Sequence, residues 1–234
     1  NVLEVTLFVL SQENISSRSG FEINCLDKIL LKALLDDSFD LVENGLLAET
    51  QFISLNYHQS SVFGYQLKDM GEVETNKELA NYSERNKTIV EIVKNEVEQG
   101  SKVIIFACTV EHSILLSMAL NYVGVPAASV DTKSDSKQSR REKIKKYKDG
   151  ELKVLTNYGV LVAGFDEPST NVAVIAKPTN SLVEYLQMAG RAMRGPKSGG
   201  SKVCRIYTVK DDLPHYKSIS LATAHWNHIW ETEK

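Results

Sequence analysis

The sequence predicts an α/β protein with a doubly wound, mainly parallel sheet that is flanked by helices on both faces. Three short apolar runs carry this prediction: Lys102–Ala107, Val154–Thr156 and Val172–Ala176. Each run is continuous rather than alternating, as expected of strands that are buried on both faces of a sheet. Segments with helical spacing separate the runs, and this alternation of strand and helix is typical of doubly wound folds. Such sheets place their ligands at the carboxyl ends of the strands.

The composition is that of an ordinary globular protein. The chain has 234 residues, of which 42% are hydrophobic and 24% charged, so it forms one large domain or one domain with an extension. A net charge of -3 excludes a wholly basic nucleic-acid-binding protein, so any such role needs a local patch. No apolar run reaches the roughly 18 residues of a membrane span. We therefore expect no membrane partner.

The cysteines and histidines predict no metal site. Cys25, Cys108 and Cys204 lie far apart in the sequence, without a Cys-x-x-Cys pair. Buried free thiols in a reducing cytoplasm explain them. The five histidines form no ligand pattern either. Because free thiols are typical of a reducing compartment, the expected location is the cytoplasm.

The first 45 residues are predicted to form an extension with helical and strand segments. Residues 26–42 carry apolar side chains at helical spacing, and Asn44-Gly45 supplies a helix stop after them. The abrupt apolar start suggests a shortened chain, in which residues 1–45 link to a preceding domain. Residues 46–210 are then the main domain, and residues 211–234 a helical extension.

The next elements follow from local patterns. Gln51–Tyr57 alternates apolar and polar residues, which predicts a half-buried strand. His58–Asn81 has several acidic residues and little periodicity, and is predicted to be a mobile acidic connection. Ser83 opens a helix that runs to about Gln99, where Gly100 ends it.

Two threonines come directly after apolar strands. Thr109 is predicted to cap a helix that reaches about Tyr122, and Thr156 is available for the same role after its own strand. Two further strands are predicted at Val125–Val130 and Lys202–Thr208.

The stretch Lys153–Gly195 carries the most chemistry. It contains an acidic corner, Gly164-Phe165-Asp166-Glu167-Pro168, and a short helix with the segment Gln187-Met188-Ala189-Gly190-Arg191-Ala192-Met193-Arg194. A capping box from Ser181 to Glu184 fixes the start of this helix. The two arginines, three residues apart, would share one helix face, and guanidinium forks suit phosphate oxygens. Gly190 leaves room for a ligand or second domain.

Each of these features also has a plainer explanation. Surface arginines on a polar helix face often do little, and an Asp between Gly and Pro often binds its own backbone in a turn. The combination and spacing of the two segments favour a functional site.

These two segments, together with Thr156, resemble motifs V and VI of superfamily 2 helicases. The resemblance implies a RecA-like helicase C-terminal domain. Within the family the chain is most similar to RadD-like and XPB-like DNA helicases, because the DEAD-box RNA helicases carry His where this chain has Gln187.

The resemblance also implies roles for individual residues. Arg194 would be the arginine finger that reaches the γ-phosphate of ATP, with Arg191 and Gln187 in support. Asp166 would accept a hydrogen bond from the ribose, while Gly164 keeps the backbone clear.

On the nucleic-acid side, Thr109 and Thr156 would bind backbone phosphates. The run Lys133–Lys148 contains eight basic residues against two acidic ones. A solvated helix face, with Ile144 and Tyr147 packed inward, explains this run as well as a phosphate-facing patch does. The residues proposed for that patch are Arg140, Arg141, Lys145 and Lys146.

Two motifs of a complete motor are absent from the printed sequence. It has no G-x-x-x-x-G-K-[ST] and no D-E-x-H-like box. ATP and Mg²⁺ would therefore be bound mainly by a first RecA-like domain of the same protein, and this chain alone should be inactive. The expected function is the second motor domain of an ATP-dependent helicase acting on nucleic acid, DNA more than RNA. The alternatives are the motor of a restriction or remodelling translocase, or a non-catalytic nucleic-acid-binding scaffold.

Overall fold

The computed structural model describes residues 41–67, 70–131, 133, 135–159, 167–179 and 181–213. Its strands are β1 (Glu49–Leu55), β2 (Val103–Phe106), β3 (Ala127–Val130), β4 (Val154–Asn157), β5 (Val172–Ile175) and β6 (Val203–Val209). Its helices are α1 (Ser61–Leu67), α2 (Glu72–Asn81), α3 (Ser83–Glu98), α4 (Val110–Tyr122), α5 (Lys137–Lys148) and α6 (Leu182–Ala189).

The strands form one parallel sheet in the order β1-β6-β5-β2-β4-β3. The predicted fold class is thereby confirmed. Because the strands are parallel, all of them end at one edge of the sheet, here called the carboxyl edge, and begin at the opposite one, the amino edge. The loops after β2, β3 and β5 lie at the carboxyl edge, whereas residues 45–48, 101–102 and 202 lie at the amino edge.

Helices cover both faces of the sheet. The continuous apolar sequence of β2 makes this possible, because successive side chains alternate between two cores. Ile104 belongs to the core under α5 and α6, with Tyr147 and Met188. Ile105 belongs to the core under α3 and α4, with Leu116. All four residues of β2 are buried.

Local side-chain signals set most helix starts. Thr109 Oγ1 accepts a hydrogen bond from His112 N at 3.0 Å and caps α4, as predicted. Ser181 Oγ accepts from Glu184 N at 3.2 Å and caps α6. The carboxylate of Glu184 does not complete the predicted capping box, because it binds Lys177 Nζ and Thr179 Oγ1, each at 2.6 Å.

The prediction of a mobile connection at His58–Asn81 is wrong. The segment contains α1 and α2, although residues 68 and 69 lie outside the described part. Short helices carry too few apolar residues to show a clear period. Here tertiary burial stabilises them: Phe63, Leu67 and Leu79 enter a third core that also holds Leu213.

The predicted helix stop at Asn44-Gly45 is confirmed. Residues 41–43 are helical, and Gly45 follows with φ 67°. Gly45 N donates to Val42 O and Leu46 N to Leu41 O, both at 2.8 Å, which is the Schellman arrangement. Residues 1–40 and 214–234, with the predicted extensions, lie outside the described residues.

The described residues offer neither a membrane-spanning helix nor a metal site. Within this part of the chain, no helix has the length and apolar character needed to cross a membrane. The same residues contain no group of three or more side chains able to hold a metal ion.

Candidate functional site

Helix α6 runs from the carboxyl edge of the sheet to the amino edge, and the two candidate arginines come after its last residue. It begins at the carboxyl edge after Ser181, and its eight residues span about 12 Å at roughly 1.5 Å per residue. It ends at Gly190, after which Arg191 N and Ala192 N donate to Met188 O and Ala189 O at 3.3 and 3.0 Å. Both arginines therefore follow the helix, and the predicted shared helix face is wrong.

Arg194 lies in an extended segment instead. It forms an antiparallel bridge with Leu47. Ala48 N donates to Met193 O at 2.9 Å, and Gly195 N donates to Leu46 O at 3.0 Å. A continued helix is incompatible with these bonds, because Met193 O and Gly195 N now pair with residues at the start of the domain. We call residues 190–200 the arginine turn.

The arginine turn lies at the amino edge, not at the carboxyl edge where the sequence analysis expects ligands. The reason is that α6 runs antiparallel to the strands, so its end meets the start of β1 and β6. Both arginines are half-buried. Burial lowers the pKa of the Arg191 guanidinium below its ordinary value. A partly desolvated cation of this kind favours an anionic partner.

Two more predicted residues lie in the same region. Gln187 is half-buried in the last turn of α6. The packing of the helix end favours glycine at position 190 over a larger residue, because an added Cβ would lie 3.0 Å from Leu186 O. The predicted role of Gly190 in ligand approach stays a prediction.

The end of the acidic corner, Glu167 and Pro168, lies close to the arginine turn at this edge. Gly164 and Asp166 lie outside the described residues, but Glu167 and Pro168 are described. The carboxylate of Glu167 lies 3.4 Å from Nζ of Lys102, the residue directly before β2. A Cβ added at Gly199 would lie 3.3 Å from Pro168 Cβ. Pro168, the last residue of the acidic corner, therefore lies beside Gly199, five residues after Arg194.

The predicted phosphate-binding threonines differ in exposure. Thr109 is half-buried at the carboxyl edge. Thr156 does not follow β4 but lies inside it, fully buried. Its hydroxyl donates to Ser113 O at 2.7 Å and accepts from Ser113 Oγ at 3.0 Å. A direct phosphate contact by Thr156 is incompatible with this packing, so that prediction is corrected.

The basic run contains both half-buried and exposed side chains. Arg140 Nη1 donates to the carbonyl oxygens of Asp131 and Asp135, both at 3.3 Å, and so braces the loop after β3. Arg141, Lys145 and Lys146 are exposed on α5. Lys145 forms an ion pair with Asp149, one turn further along α5.

The expected inner face of α5 is confirmed. Tyr147 is fully buried and Ile144 packs against the same core. The exposed cations therefore lie on the solvent face of α5, as both explanations of the basic run require.

The sequence analysis missed two charged residues beside Thr109. The pKa of Glu111 is lowered first by its own backbone amide, then by the Thr109 hydroxyl, Lys133 and Lys77. Lys77 belongs to α2 and comes near this edge only because α2 packs on the domain. Its segment was assigned to a loop, so no sequence signal marked it.

A buried ion pair, also missed, holds the carboxyl edge together. Arg85 is fully buried on α3 and bonds both carboxylate oxygens of Asp211, at 2.8 and 2.9 Å. Tyr57 OH donates to the same carboxylate at 2.7 Å. Burial acts to lower the pKa of Arg85, but Asp211 outweighs it and the pKa is raised. The pair fixes the segments that follow β1 and β6.

Residues 84–196 match the family described as "Helicase conserved C-terminal domain". These residues are similar in sequence to the C-terminal domain of superfamily 2 helicases. The parallel sheet with its flanking helices is the RecA-like fold of such domains.

Several curated proteins are similar to this chain. A Lactococcus phage protein named by its mass of 51.5 kDa is 36% identical over 95 residues, which are 41% of this chain and 21% of that protein. A candidate ATP-dependent helicase of Saccharomyces cerevisiae, IRC3, is 26% identical over 164 residues, covering 66% and 23%. The ATP-dependent RNA helicase rok1 of Aspergillus oryzae is 30% identical over 123 residues, covering 50% and 17%.

The matched part of this chain spans only about a fifth of the length of these relatives. Among solved structures, the C-terminal domain of the DEAD-box protein Dbp5 is 17% identical, with a TM-score of 0.48, over 79% of this chain and 87% of that one.

Proposed function

We propose that this chain is the second motor domain of an ATP-dependent helicase or translocase that acts on nucleic acid. The motor domain is placed at residues 46–210, and a first RecA-like domain of the same protein would hold ATP and Mg²⁺. The observation that carries the proposal is the contact at the amino edge between Pro168, the last residue of the acidic corner, and Gly199 of the arginine turn. Both segments come from motifs that resemble nucleotide-contacting ones.

The chemistry required of this edge is electrostatic. Phosphoryl transfer gathers negative charge on the transferred group, and a guanidinium aimed at that charge stabilises the transition state more than the ground state. In this proposal Arg194 is the finger, while Arg191 and Gln187 support the phosphate. Asp166 holds the ribose and Gly164 leaves the backbone clear. The backbone pairing of Arg194 with Leu47 supplies the fixed position that such a donor needs.

The opposite, carboxyl edge is the proposed nucleic-acid track. The N-termini of α4 and α5 both lie there, and free amides at helix starts suit phosphate oxygens. Thr109 and the exposed Arg141 would contact the backbone there, while Arg140 acts through the loop to which it donates. The exposed Lys145 and Lys146 lie in the last turn of α5, towards the amino edge, and would extend the track along this helix. Contacts of this kind carry no sequence information.

The nature of the nucleic acid is proposed from the resemblance. The RadD-like and XPB-like branch implies DNA, whereas relatives such as rok1 are named as RNA helicases. Fluorescence anisotropy with single-stranded DNA and RNA of equal length, at two salt concentrations, would decide between them. Tighter binding to RNA would overturn the DNA preference.

The decisive experiment on the proposed function is Arg194→Ala in the complete protein. Loss of an arginine finger should lower nucleic-acid-stimulated turnover on the order of 10³-fold, about 4 kcal/mol, with little change in KM for ATP. The matched control is Lys94→Ala, which removes an exposed cation on α3. Arg205 is unsuitable as a control, because it bonds Glu96 at 2.8 and 2.7 Å in a partly buried pair.

The possible outcomes separate the alternatives. If Arg191→Ala abolishes turnover and Arg194→Ala does not, the finger is Arg191. If neither matters, the domain is a non-catalytic scaffold. If turnover is normal but a strand-displacement assay detects no unwinding, the protein is a translocase of the restriction or remodelling type.

A further inference from the structure

The segment that leads into the domain is bonded directly to the arginine turn. We call residues 45–48 the lead-in segment. Besides the two backbone bonds that flank the bridge between Leu47 and Arg194, Lys197 N donates to Gly45 O at 2.9 Å. Ser198 Oγ donates to Leu46 O at 3.0 Å. The lead-in segment and the arginine turn therefore form one hydrogen-bonded unit.

Gly195 permits this close approach. A Cβ at this position would lie 2.5 Å from Gly45 O and 2.5 Å from Leu47 O, closer than real Cβ atoms come to backbone oxygens. Its φ of -83° and ψ of 174° are open to any residue. Glycine is therefore required by the packing of the lead-in segment and not by backbone conformation.

The backbone of Arg194 is also held from its other side. A Cβ at Gly200 would lie 2.0 Å from Arg194 O, and Ser201 N donates to the same oxygen at 3.1 Å. Arg194 is therefore enclosed between the lead-in segment and the chain that enters β6. A displacement of the lead-in segment cannot be absorbed locally and must move Arg194.

The lead-in segment is in turn fixed to the helical residues 41–43. Leu46 N and Leu47 N both donate to Leu41 O, at 2.8 and 3.0 Å. Only residues 44–46 separate that helix end from the bridge, and Gly45 N and Leu46 N both donate to its carbonyl oxygens. A change in the direction of the helix end would therefore be transmitted to the arginine.

We propose that Gly195 is a positioning residue, through which the lead-in segment sets the place of Arg194 relative to the nucleotide. This inference rests on the proposed function, since it assigns the coupling to phosphoryl transfer. Reactions of this kind are sensitive to misplacement: an error of about 1 Å can cost on the order of 10²-fold in rate. The chain on the N-terminal side of residue 45 then controls turnover mechanically, without touching ATP.

The first experiment measures the coupling in this chain alone. Gly195→Ala is compared with Gly64→Ala, where an added Cβ meets only the flexible side-chain nitrogen of Gln59 at 3.3 Å. Hydrogen–deuterium exchange should be at least about tenfold faster at the amides of Ala48 and position 195 in Gly195→Ala only. The amide of Ile104, in the central strand β2, should be unchanged. Unchanged exchange at Ala48 would overturn the inference.

The second experiment measures turnover in the complete protein. Gly195→Ala should lower kcat by about tenfold to a hundredfold, with KM for ATP within roughly threefold of the wild type. If this variant does not fold, Ser198→Ala replaces it, because it removes one hydrogen bond without adding bulk. It should lower kcat by about twofold to threefold, and Ser198→Thr, which keeps the hydroxyl, should restore it.

The results distinguish the inference from the proposed function. Faster exchange with normal turnover, in a protein that Arg194→Ala inactivates, would refute positioning by Gly195 and leave the proposed function intact. If Arg194→Ala is also active, the proposed function fails. Lower kcat in both Gly195→Ala and Arg194→Ala, with Gly64→Ala unaffected, is the result expected.

Discussion

Acid should destabilise this domain through His112, a buried histidine held in its neutral form. The ring is 1% exposed. Nδ1 accepts a hydrogen bond from Cys108 N at 3.2 Å, and Nε2 lies 2.9 Å from Asn86 Oδ1, to which it donates. A proton on Nδ1 would face the N–H of Cys108. Burial, followed by the nearby Arg85, lowers the pKa of His112 to about 3.

The size of the effect follows from proton linkage. Between pH 6.5 and about 3 the unfolded histidine binds a proton that the folded one does not, so stability falls as the pH falls. From pH 7 to pH 5 the unfolded state gains about 2 kcal/mol from this one group, taking about 6.5 as its unfolded pKa. The contribution is absent above pH 7, where both states are neutral.

The assay is urea unfolding of the wild type and His112→Gln at pH 7, 6 and 5. Glutamine does not titrate, so the difference between the two free energies of unfolding should shrink by about 2 kcal/mol from pH 7 to pH 5. Comparing changes with pH, and not absolute values, removes the carboxylates that both proteins share. Parallel pH profiles would refute the reasoning, and would mean that the folded protein admits the proton.

Three further predictions concern the buried pair, the basic patch and the missing motifs. Asp211→Asn leaves Arg85 buried without a carboxylate and should cost about 3–5 kcal/mol, lowering the thermal midpoint on the order of 10 °C. Asp149→Asn, at an exposed pair, should leave the midpoint nearly unchanged; equal losses in calorimetry would contradict the burial argument. The double substitution Lys145→Glu and Lys146→Glu should weaken binding to single-stranded nucleic acid and flatten its salt dependence. If the affinity measured by anisotropy changes neither with salt nor with this substitution, the patch is not part of the track. In a phosphate-release assay this chain alone should show no stimulated ATP turnover above background, and robust turnover would reveal a phosphate-binding site that the sequence analysis overlooked.

Separate edges for nucleotide and nucleic acid have a mechanical consequence for the proposed motor. The arginine turn and Pro168 lie at the amino edge, whereas Thr109 and the start of α5 lie at the carboxyl edge. Closure of two domains around ATP would therefore act on one edge while the track is held at the other. The rigid sheet between them, with its fully buried central strands, would transmit the motion.

The sequence by itself determined the elements whose signals are local. Continuous apolar runs specify buried parallel strands, since every side chain of β2 meets one of two cores. Thr109 and Gly45 specify a helix start and a helix stop, because a side-chain oxygen and a positive φ act within three or four residues. The resemblance of the acidic corner and the arginine segment depends on spacing, which is also local. These predictions needed no knowledge of distant neighbours.

Only the tertiary structure decided where those local pieces act. Arg194 leaves the helical path because Leu47, from the other end of the domain, pairs with its backbone. Thr156 is removed from solvent because Ser113 of α4 packs over β4 and bonds its hydroxyl. Arg85 is buried because Asp211, 126 residues away in sequence, neutralises it. Each contact joins residues that are far apart in the chain, and no local sequence pattern indicates such a pair. These contacts therefore form only when the fold brings the residues together.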